Sequence, residues 1–411
     1  MFNKLQDMDI RGKKIILRCD FNVPMKDGEI LDDTKIKESL ETIKYLIDNN
    51  CKIIILSHFG KIKTKSDLKR YTLVPIAKRL LKLITHEPDY EQTHVVFSNH
   101  TRSTALKDKI DSLRPQEILV VENTRFEDYP SKYESNCDLE LAKFWASLGD
   151  IYVNDAFASS HRKHASTYGI PQFIPGCIGF LVQDELEAMD KYILHPEKPF
   201  SVIMGGAKLE DKIKIIKKLL PLCDNLLLTG GIANSFLKAL NLNVGFSLVT
   251  KNADLIKEIQ ELLLQYKEKI VLPFDAVVGS SYDKNYAAHK RIDEISNDDI
   301  ILDLGNTTIK KYTNIISKSK TVFVNGTAGK YEDARFANGT KMLLKALADS
   351  PTKVIVGGGD SVSAVKNFNH QDDFEYLFTG GGASLEYIAN NTLPALEILK
   401  KKEENYEVLD I

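Results

Sequence analysis

Short apolar runs alternate with longer amphipathic stretches almost from one end of the 411-residue chain to the other. KIILR at Lys14–Arg18 is followed by Ile36–Asn49, whose apolar residues recur at helical spacing, and then by KIIILS at Lys52–Ser57. Continuous apolar strands that alternate with amphipathic helices are typical of parallel sheets covered on both faces. The predicted strands are Lys14–Arg18, Lys52–Ser57, His94–Phe97, Ile118–Val121, Asp150–Val153, Phe200–Met204, Asn225–Thr229, Ile270–Pro273, Ile300–Leu304, Thr321–Asn325, Lys353–Val356 and Tyr376–Thr379.

A break in this alternation falls at Pro171–Phe200, where prolines and glycines flank a predicted helix at Leu181–Leu194. The chain is also longer than one usual domain of roughly 100–200 residues. We therefore predict an α/β fold with two domains, each a Rossmann-like parallel sheet with helices on both faces, joined by a hinge. The predicted limits are a first domain at 1–172, a hinge at 173–198, a second domain at 199–392 and a tail at 393–411 that returns to the first domain.

The overall charge of the chain excludes several classes of partner. Lys and Arg number 55 against 57 Asp and Glu, for a net charge of −2, so nothing global attracts nucleic acid or an anionic membrane. The five cysteines are scattered without a CxxC pair, which favours free thiols in a reducing compartment. No stretch approaches about 18 consecutive apolar residues. We expect a soluble cytoplasmic protein with neither nucleic-acid nor membrane partners.

Polar and cationic side chains follow the predicted strands of the first half. Ligands of open α/β sheets bind beyond the carboxyl ends of the strands, so these positions are candidates for chemistry. Any one of them alone is more often a surface cation or a helix cap, but four successive strand ends favour a cleft for a small, highly anionic ligand. The residues are Arg18, Asp20, Asn22, His58, Lys61, Arg125, Asn154, Asp155, His161, Arg162 and His164.

Glycines follow the predicted strands of the second half. Glycine lets a strand turn sharply into a helix and lets backbone N–H groups approach a ligand closely. One glycine pair indicates only a tight turn, whereas five such turns favour a nucleotide lying across the sheet edge. The turns are Gly205–Gly206, Gly230–Gly231, Gly326 with Gly329, Gly357–Gly359 and Gly380–Gly382.

Two of these turns also carry charge. In GGAKLEDK, Lys208 and Lys212 are four residues apart, which predicts one face at the start of a helix and two ammonium groups within reach of phosphates. In GGGDS, Asp360 fits either a helix N-cap or a ligand of Mg²⁺ on a polyphosphate. Neither GxxxxGK[ST] nor GxGxxG after a strand occurs, so the remaining fit is a two-domain phosphotransferase that is neither a P-loop nor a dinucleotide enzyme.

From Arg18 to about Leu396 the chain resembles the phosphoglycerate kinase family, with motifs in that family's order and spacing. The resemblance implies reversible, Mg²⁺-dependent phosphoryl transfer in glycolysis between ATP and the carboxylate of 3-phosphoglycerate, which gives 1,3-bisphosphoglycerate and ADP. A carboxylate nucleophile, with a pKa of about 4, is ionised at neutral pH and needs no general base. The motifs are RCDFNVP, DDTKI, SHFGK, ENTRF, NDAFASSHRKHAST, GGAKLEDKI, GGIANSFL, NGTAGKYE, GGGDS and TGGGASLE.

The resemblance also implies roles for individual residues, and a monomer whose two domains close over the substrates. Lys35, Lys212 and Arg162 are implied as catalytic, Lys212 on the transferred phosphoryl, Glu332 on the ribose and Asp360 on the metal. The implied substrate site comprises Asp20, Asn22, Lys35, His58, Lys61, Arg125, His161 and Arg162, with Arg18 and His164 in the surrounding basic patch. The implied nucleotide site comprises Gly206, Lys208, Lys212, Asn325, Glu332, Gly357, Gly358, Gly359, Asp360 and Ser361.

The chain departs from the family pattern at a few of these positions. Lys35 and Lys61 stand where the family has arginine, and lysine keeps the charge but loses the planar bidentate fork. Thr327 and Ala328 replace the usual residues of an NGPxG loop, which we expect to relax it. DLGNT at Asp303–Thr307 replaces a GLDIGP segment, so no contact with adenine is assigned to that strand.

Three functions follow as hypotheses. The first is an active phosphoglycerate kinase. The second is a catalytically weak or inactive relative that retains the ligand sites, which is motivated by the two lysines in place of arginine. The third is a nicotinamide-dependent oxidoreductase on a similar sheet, against which the missing GxGxxG argues.

Overall fold

A computed structural model of the chain describes residues 2–401. The chain packs as two compact units, one formed by Met1–Leu186 with the chain from Thr392 onward and the other by Glu187–Asn391. Residues 402–411, the end of the predicted tail, lie outside the described residues. Within residues 2–401, no helix is both long and apolar enough to cross a membrane.

The core of the first unit is a parallel sheet of six strands in the order β5-β6-β4-β1-β7-β8. Its central strands are buried along nearly their whole length, because helices cover both faces, and this confirms the fold predicted from their continuous apolar runs. The strands are β1 Lys14–Cys19, β4 Lys52–Leu56, β5 Val95–Ser98, β6 Ile118–Val121, β7 Ile151–Asp155 and β8 Gly176–Ile178.

A short hairpin, β2 Met25–Lys26 and β3 Glu29–Ile30, was not predicted and lies beside this sheet. Its two turn residues, Asp27 and Gly28, both have positive φ, as an Asp-Gly turn between antiparallel strands requires. The helix predicted at Ile36–Asn49 is divided in two at Ser39. The helices are α1 Thr34–Glu38, α2 Leu40–Asp48, α3 Asp67–Arg70, α4 Val74–Thr85, α5 Thr104–Asp111, α6 Leu139–Ala146, α7 Phe180–Met189 and, near the C-terminus, α15 Pro394–Glu397.

Residues 392–401 pack on the first unit. The backbone N–H of Ala395 donates to the carbonyl of Ser160 at 3.1 Å, and the N–H of Asn3 donates to the carbonyl of Leu399 at 3.0 Å. A side chain at Gly176 in β8 would come within 2.7 Å of Leu399, so glycine is needed for this close packing.

The second unit is built on another six-stranded parallel sheet, in the order β11-β10-β9-β15-β16-β17. Its strands are β9 Phe200–Met204, β10 Asn225–Leu228, β11 Ile270–Val271, β15 Thr321–Asn325, β16 Lys353–Gly357 and β17 Tyr376–Leu377. Its helices are α8 Ile213–Leu219, α9 Gly230–Ala239, α10 Ala253–Gln265, α11 Asn306–Ile316, α12 Asn338–Ala348, α13 Gly359–Asn367 and α14 Gly382–Asn390.

The second unit also contains an antiparallel sheet that the sequence patterns did not predict. It consists of β12 Asp275–Ser280, β13 Ala288–Arg291 and β14 Asp299–Leu304, in the order β13-β12-β14. The run at Ile300–Leu304 was expected among the parallel strands but belongs to β14, which pairs antiparallel with β12. Three of the six residues of β14 are only partly buried, as in a sheet packed on one face, so its apolar run was misleading.

Candidate functional site

Four cationic strand ends meet at one edge of the first sheet. Strands β6, β4, β1 and β7 are direct neighbours, and the carboxyl ends of parallel strands lie on the same side. The side chains of Arg18, Asp20, His58 and Arg125, which follow or end three of these strands, are all at least nine-tenths buried. The sequence therefore identified residues that the fold does bring to a common edge.

Asp20 is the acidic member of this edge, and it pairs with Lys35. The Lys35 ammonium donates to the Asp20 carboxylate at 3.0 Å. Burial would raise the pKa of Asp20, but the positive charges of Lys35 and its neighbours outweigh burial and hold that pKa well below its usual value. Asp20 is thus a carboxylate at neutral pH, and it fixes the position of the Lys35 ammonium.

His58 and His164 are neutral histidines among cations. Burial lowers the pKa of His58 well below its usual value, and Arg18 and Arg125 lower it further despite the nearby Asp20. Burial and the same two arginines lower the pKa of His164 to about 3. Both rings therefore act at neutral pH as uncharged hydrogen-bonding groups.

The loop after β4 is held closely by its neighbours at Gly60. The Asn22 side-chain oxygen accepts from the Gly60 N–H at 2.9 Å, and the Arg125 guanidinium donates to the Gly60 carbonyl. Gly60 has a φ of +60°, and a side chain there would come within 2.3 Å of the Tyr71 ring. Lys61, the next residue, is exposed at the same edge.

Asn123 supports this loop and was missed as a functional residue. Its side-chain oxygen accepts from the N–H groups of Phe59 and Arg125, each at 3.0 Å, and its NH₂ group donates to the carbonyls of Phe59 and Tyr71 at 2.7 and 2.8 Å. The available signal was its place in ENTRF, two residues after the end of β6, where only Arg125 drew attention.

The segment after β7 supplies His161 and Arg162. Arg162 is exposed, and its Nε donates to Nε2 of His161 at 2.9 Å. Both residues follow a strand that is the direct neighbour of β1, so they extend the cationic edge beyond Arg18 and Asp20.

The glycine turns of the second unit also meet at one edge, because β10, β9, β15, β16 and β17 are consecutive in the sheet. A side chain at Gly205 would lie 2.2 Å from the Thr229 hydroxyl and 2.3 Å from the Thr327 carbonyl. Gly326 has a φ of +101°, and a side chain there would lie 2.2 Å from the Gly205 carbonyl. These loops therefore pack backbone against backbone, which only glycine permits.

Lys208 and Lys212 do not share a helix face. Helix α8 begins at Ile213, so both lysines lie in the preceding turn, where helical spacing does not apply, and that prediction was wrong. Lys208 is exposed, whereas the Lys212 ammonium donates to the carbonyls of Gly205 and Asn325 at the ends of β9 and β15, the latter at 3.2 Å. Burial lowers the pKa of Lys212 to about 8, although Asp360 raises it.

The turn between β16 and α13 carries a polar cluster. The NH₂ group of Asn325 donates to the Gly357 carbonyl at 2.7 Å, and the Ser361 hydroxyl accepts from the Gly326 N–H at 2.5 Å. The buried oxygen of the Asn325 side chain has no hydrogen-bond partner among the described residues. Gly358, with a φ of +90°, caps α13, so Asp360 stands exposed in the first turn instead of capping it.

A cavity of about 340 Å³ opens beside these turns. Its wall is mostly apolar, and the exposed carboxylates of Glu332 and Asp360 border it. A small cavity with an apolar wall and few polar groups is typical of a site for a small organic ligand or a cofactor. The wall includes Gly230, Gly231, Leu237, Leu248, Pro273 and Leu304.

The loop at Thr327 and Ala328 is held in place, contrary to the relaxation expected from its sequence. The Thr327 carbonyl accepts from the Thr229 hydroxyl at 3.0 Å, and the Ala328 N–H donates to the Thr340 hydroxyl at 3.1 Å. Asp303 of β14 fills the space beside this loop, where a side chain at Gly329 would come within 2.4 Å of it.

Asp303 gives the second unit a pH-dependent stability. Burial raises its pKa to about 7, although the Gly339 N–H donates to it at 2.7 Å. Because the folded pKa exceeds the unfolded one, this group stabilises fully below pH about 4 and its contribution is lost as the pH rises to about 7. Urea unfolding of Asp303→Asn should show a shallower fall in unfolding free energy over this interval, by up to about 1.4 kcal/mol per pH unit. An unchanged slope would contradict this role for Asp303.

Comparisons with known proteins bear on this arrangement. The family model described as "Phosphoglycerate kinase" matches residues 5–391. The phosphoglycerate kinase of Macrococcus caseolyticus is 41% identical over 401 residues, covering 97% of this chain and 99% of its own. That of Enterococcus faecalis is 40% identical over 402 residues with the same coverage. The structure of phosphoglycerate kinase from Coxiella burnetii superposes with a TM-score of 0.83 at 33% identity, covering 97% of this chain and 98% of that one.

These findings agree with the order of the motifs along the chain and with the two sheet edges, a cationic one in the first unit and a glycine-rich one in the second. None of them favours an inactive relative or an oxidoreductase. The chain belongs to the phosphoglycerate kinase family.

Proposed function

We propose that 3-phosphoglycerate binds at the cationic edge of the first sheet and that ATP or ADP, with Mg²⁺, binds at the glycine-rich edge of the second. As a member of its family, the chain is a kinase that transfers a phosphoryl group between ATP and the carboxylate of 3-phosphoglycerate in glycolysis. The observation that carries the assignment of the substrate is the gathering of Arg125 and Arg162 at the same sheet edge where Lys35 pairs with the buried Asp20. The net positive charge at this edge suits a small anion with two or three charges.

At the first edge, charged and uncharged donors have separate tasks in this proposal. Lys35, Lys61, Arg125 and Arg162 neutralise the phosphate and carboxylate of the substrate, and neutral His58 donates one directional hydrogen bond. The remaining residues of the proposed substrate site are Asp20, Asn22 and His161.

At the second edge, the base occupies the apolar cavity and the phosphates run toward Lys212 and the start of α13. The helix N-terminus and the close-packed glycine turns present backbone N–H groups to phosphate oxygens. Asn325 completes this phosphate site and Glu332 meets the ribose. The further residues proposed here are Gly206, Lys208, Gly357, Gly358, Gly359 and Ser361.

The reaction requires little from the protein beyond alignment of the two substrates and positive charge near the transferred phosphoryl group. The substrate carboxylate is ionised at neutral pH, so no side chain has to remove a proton. Transfer then depends on alignment of the two substrates and on neutralisation of the transferred phosphoryl by Lys212, Lys35 and Arg162. Closure of the two domains is proposed to exclude water that would hydrolyse the acyl phosphate.

The residues present fit a Mg²⁺ ion that is carried by the nucleotide. Among residues 2–401, no group of three or more His, Cys, Asp or Glu side chains could hold a metal by itself. Mg²⁺ in kinases is commonly held by one or two carboxylates together with substrate phosphates, and Asp360 is an exposed carboxylate of this kind. When bound, the ion would supply positive charge to the phosphate oxygens.

The proposal also covers the limits of the domains, the oligomeric state and the cellular location. We place the substrate domain at 1–172, the hinge at 173–198, the nucleotide domain at 199–392 and the returning tail at 393–411. The protein is proposed to act as a monomer in the cytoplasm.

The activity itself is tested by a coupled assay of ADP formation with purified, folded protein. Turnover should require 3-phosphoglycerate and Mg²⁺ together with ATP, and omission of either should abolish it. Folded protein that forms no ADP under these conditions would contradict the proposed function.

Lys35→Arg tests whether the lysine limits this enzyme. The Lys35 ammonium is already held by Asp20 at 3.0 Å, so we expect the variant to stay within about tenfold of the parent in kcat. The same coupled assay measures this, with Lys37→Arg on the same helix as a matched control. A gain of several orders of magnitude would favour the weak or inactive relative instead.

A further inference from the structure

A buried carboxyl group and a buried guanidinium group lie on either side of one serine in the first unit. The side chains of Glu134 and Arg18 are both fully buried. The Ser166 hydroxyl donates to the Glu134 carboxylate at 2.5 Å and accepts from Nε of Arg18 at 2.8 Å. The Ser166 N–H donates to the second carboxylate oxygen at 2.9 Å. The three residues therefore form one continuous hydrogen-bonded chain.

Every nitrogen of the Arg18 guanidinium has a partner inside the protein. Nε donates to Ser166, one terminal nitrogen donates to the Cys19 carbonyl, and the other lies 3.3 Å from Nδ1 of His58. Because Arg18 is fully buried and each of its three guanidinium nitrogens already has a partner, we infer that it supports its neighbours and does not contact substrate.

The contact with Arg18 determines which nitrogen of His58 carries the proton. A guanidinium has only donors, so Nδ1 of His58 must accept. Since the ring is neutral, its single proton is then on Nε2. Nδ1 also lies 3.9 Å from the Asp20 carboxylate, which is beyond hydrogen-bond distance and does not compete with Arg18.

Glu134 lies outside the site motifs and faces the buried guanidinium through Ser166. Burial raises the pKa of Glu134, whereas the charge of Arg18 and the two hydrogen bonds from Ser166 favour its ionised form. The carbonyl of Glu134 also accepts from the Ala165 N–H at 2.9 Å, which ties the segment after ENTRF to the segment after HRKH. A buried charge left without its partner is strongly unfavourable, so loss of the carboxylate should displace the guanidinium.

We propose that Glu134 is a positioning residue for the substrate site: through Ser166 and Arg18 it holds His58 as the tautomer that carries its proton on Nε2, ready to donate to an oxygen of the substrate. This inference rests on the proposed function only for the identity of that substrate. Glu134 itself is proposed to touch neither substrate nor nucleotide.

The tautomer is tested directly by ¹⁵N NMR of histidine-labelled full-length protein without substrate, with His58 assigned by comparison with His58→Gln. The parent should show a neutral ring protonated on Nε2. In Glu134→Gln and in Ser166→Ala, we expect the His58 signals to shift toward a mixture of the two tautomers. Glu91→Gln, at an exposed position of the same unit, is the matched control and should leave the signals unchanged.

Kinetics give the second readout. Glu134→Gln and Ser166→Ala should each raise KM for 3-phosphoglycerate by about 10- to 100-fold with a much smaller change in kcat, because the lost hydrogen bond serves binding. The double variant should be no worse than the more damaging single one, since both act through Arg18. Ser166→Ala keeps the buried carboxylate and carries the test where Glu134→Gln does not fold.

An unchanged His58 tautomer in a folded variant would overturn the proposal, and so would additive effects of the two substitutions on KM. Because the NMR measurement uses protein without substrate, it stands apart from the assay of ADP formation. If the parent protein had the Nε2-protonated His58 ring but showed no turnover, the proposed function would be contradicted and this inference would stand.

Discussion

Lys212→Ala is expected to lower kcat by about 10³-fold or more. The Lys212 ammonium is held between the carbonyls of Gly205 and Asn325, at the ends of two neighbouring strands where the phosphates are proposed to lie. One preorganised charge on a transferred phosphoryl contributes about 10³–10⁵ in related chemistry, and alanine leaves nothing in its place. The measurement is kcat in the coupled assay, with circular dichroism to show that the variant is folded.

The pH dependence of the parent adds a second criterion for Lys212. Its pKa is lowered to about 8 by burial, and only the protonated form can neutralise a phosphoryl group. We therefore expect kcat/KM to fall as the pH rises through about 8. Lys214→Ala removes an exposed lysine from α8 and should retain both the rate and this profile. A folded Lys212→Ala that retains more than a tenth of the parent kcat would contradict the assigned role.

Gly205→Ala is expected to abolish measurable nucleotide binding and to lower the unfolding free energy of the second unit by about 1–3 kcal/mol or more. The new methyl group would lie 2.2 Å from the Thr229 hydroxyl and 2.3 Å from the Thr327 carbonyl. One of these contacts is backbone, so the loops must separate to relieve it. Calorimetric titration with ADP and urea unfolding measure the two effects.

Gly382→Ala is the matched control for that substitution. Gly382 begins α14, and a side chain there would meet nothing within 4 Å. Alanine should therefore leave stability unchanged or raise it by about 0.5–1 kcal/mol. If Gly205→Ala behaved like this control, the close packing of the glycine turns would not be what forms the phosphate site.

The parallel sheets were predictable because their strands are buried on both faces and so read as continuous apolar runs. The same reasoning failed for β12–β14. β13 at Ala288–Arg291 is polar and partly exposed and has no apolar run, and the buried run within β12 at Asp275–Ser280 is only four residues long. β8 at Gly176–Ile178 is only three residues long and lies among prolines and glycines, which is why it was read as part of the connector.

The candidate site was also predicted only in part from the sequence. Residues directly after strands, such as Asp20, His58 and Arg125, could be predicted because parallel strands place their ends at one edge. Spacing was misleading for Lys208 and Lys212, because it assumed a helix where the chain makes a turn.

The residues that support the site could not be predicted from the sequence. Glu134 precedes Ser166 by 32 residues and Arg18 lies more than 100 residues before either, so no local pattern connects them. Only the packing of the first unit shows that they share one hydrogen-bonded chain.

In the proposed reaction, a phosphoryl group passes between ATP and the carboxylate of 3-phosphoglycerate. The most direct test uses ATP labelled at the γ-phosphate. The labelled products are then treated with hydroxylamine, which cleaves acyl phosphates and so distinguishes them from other phosphates. We expect label in a hydroxylamine-sensitive product only when 3-phosphoglycerate and Mg²⁺ are both present. Folded protein that leaves all the label in ATP or in inorganic phosphate would contradict this expectation.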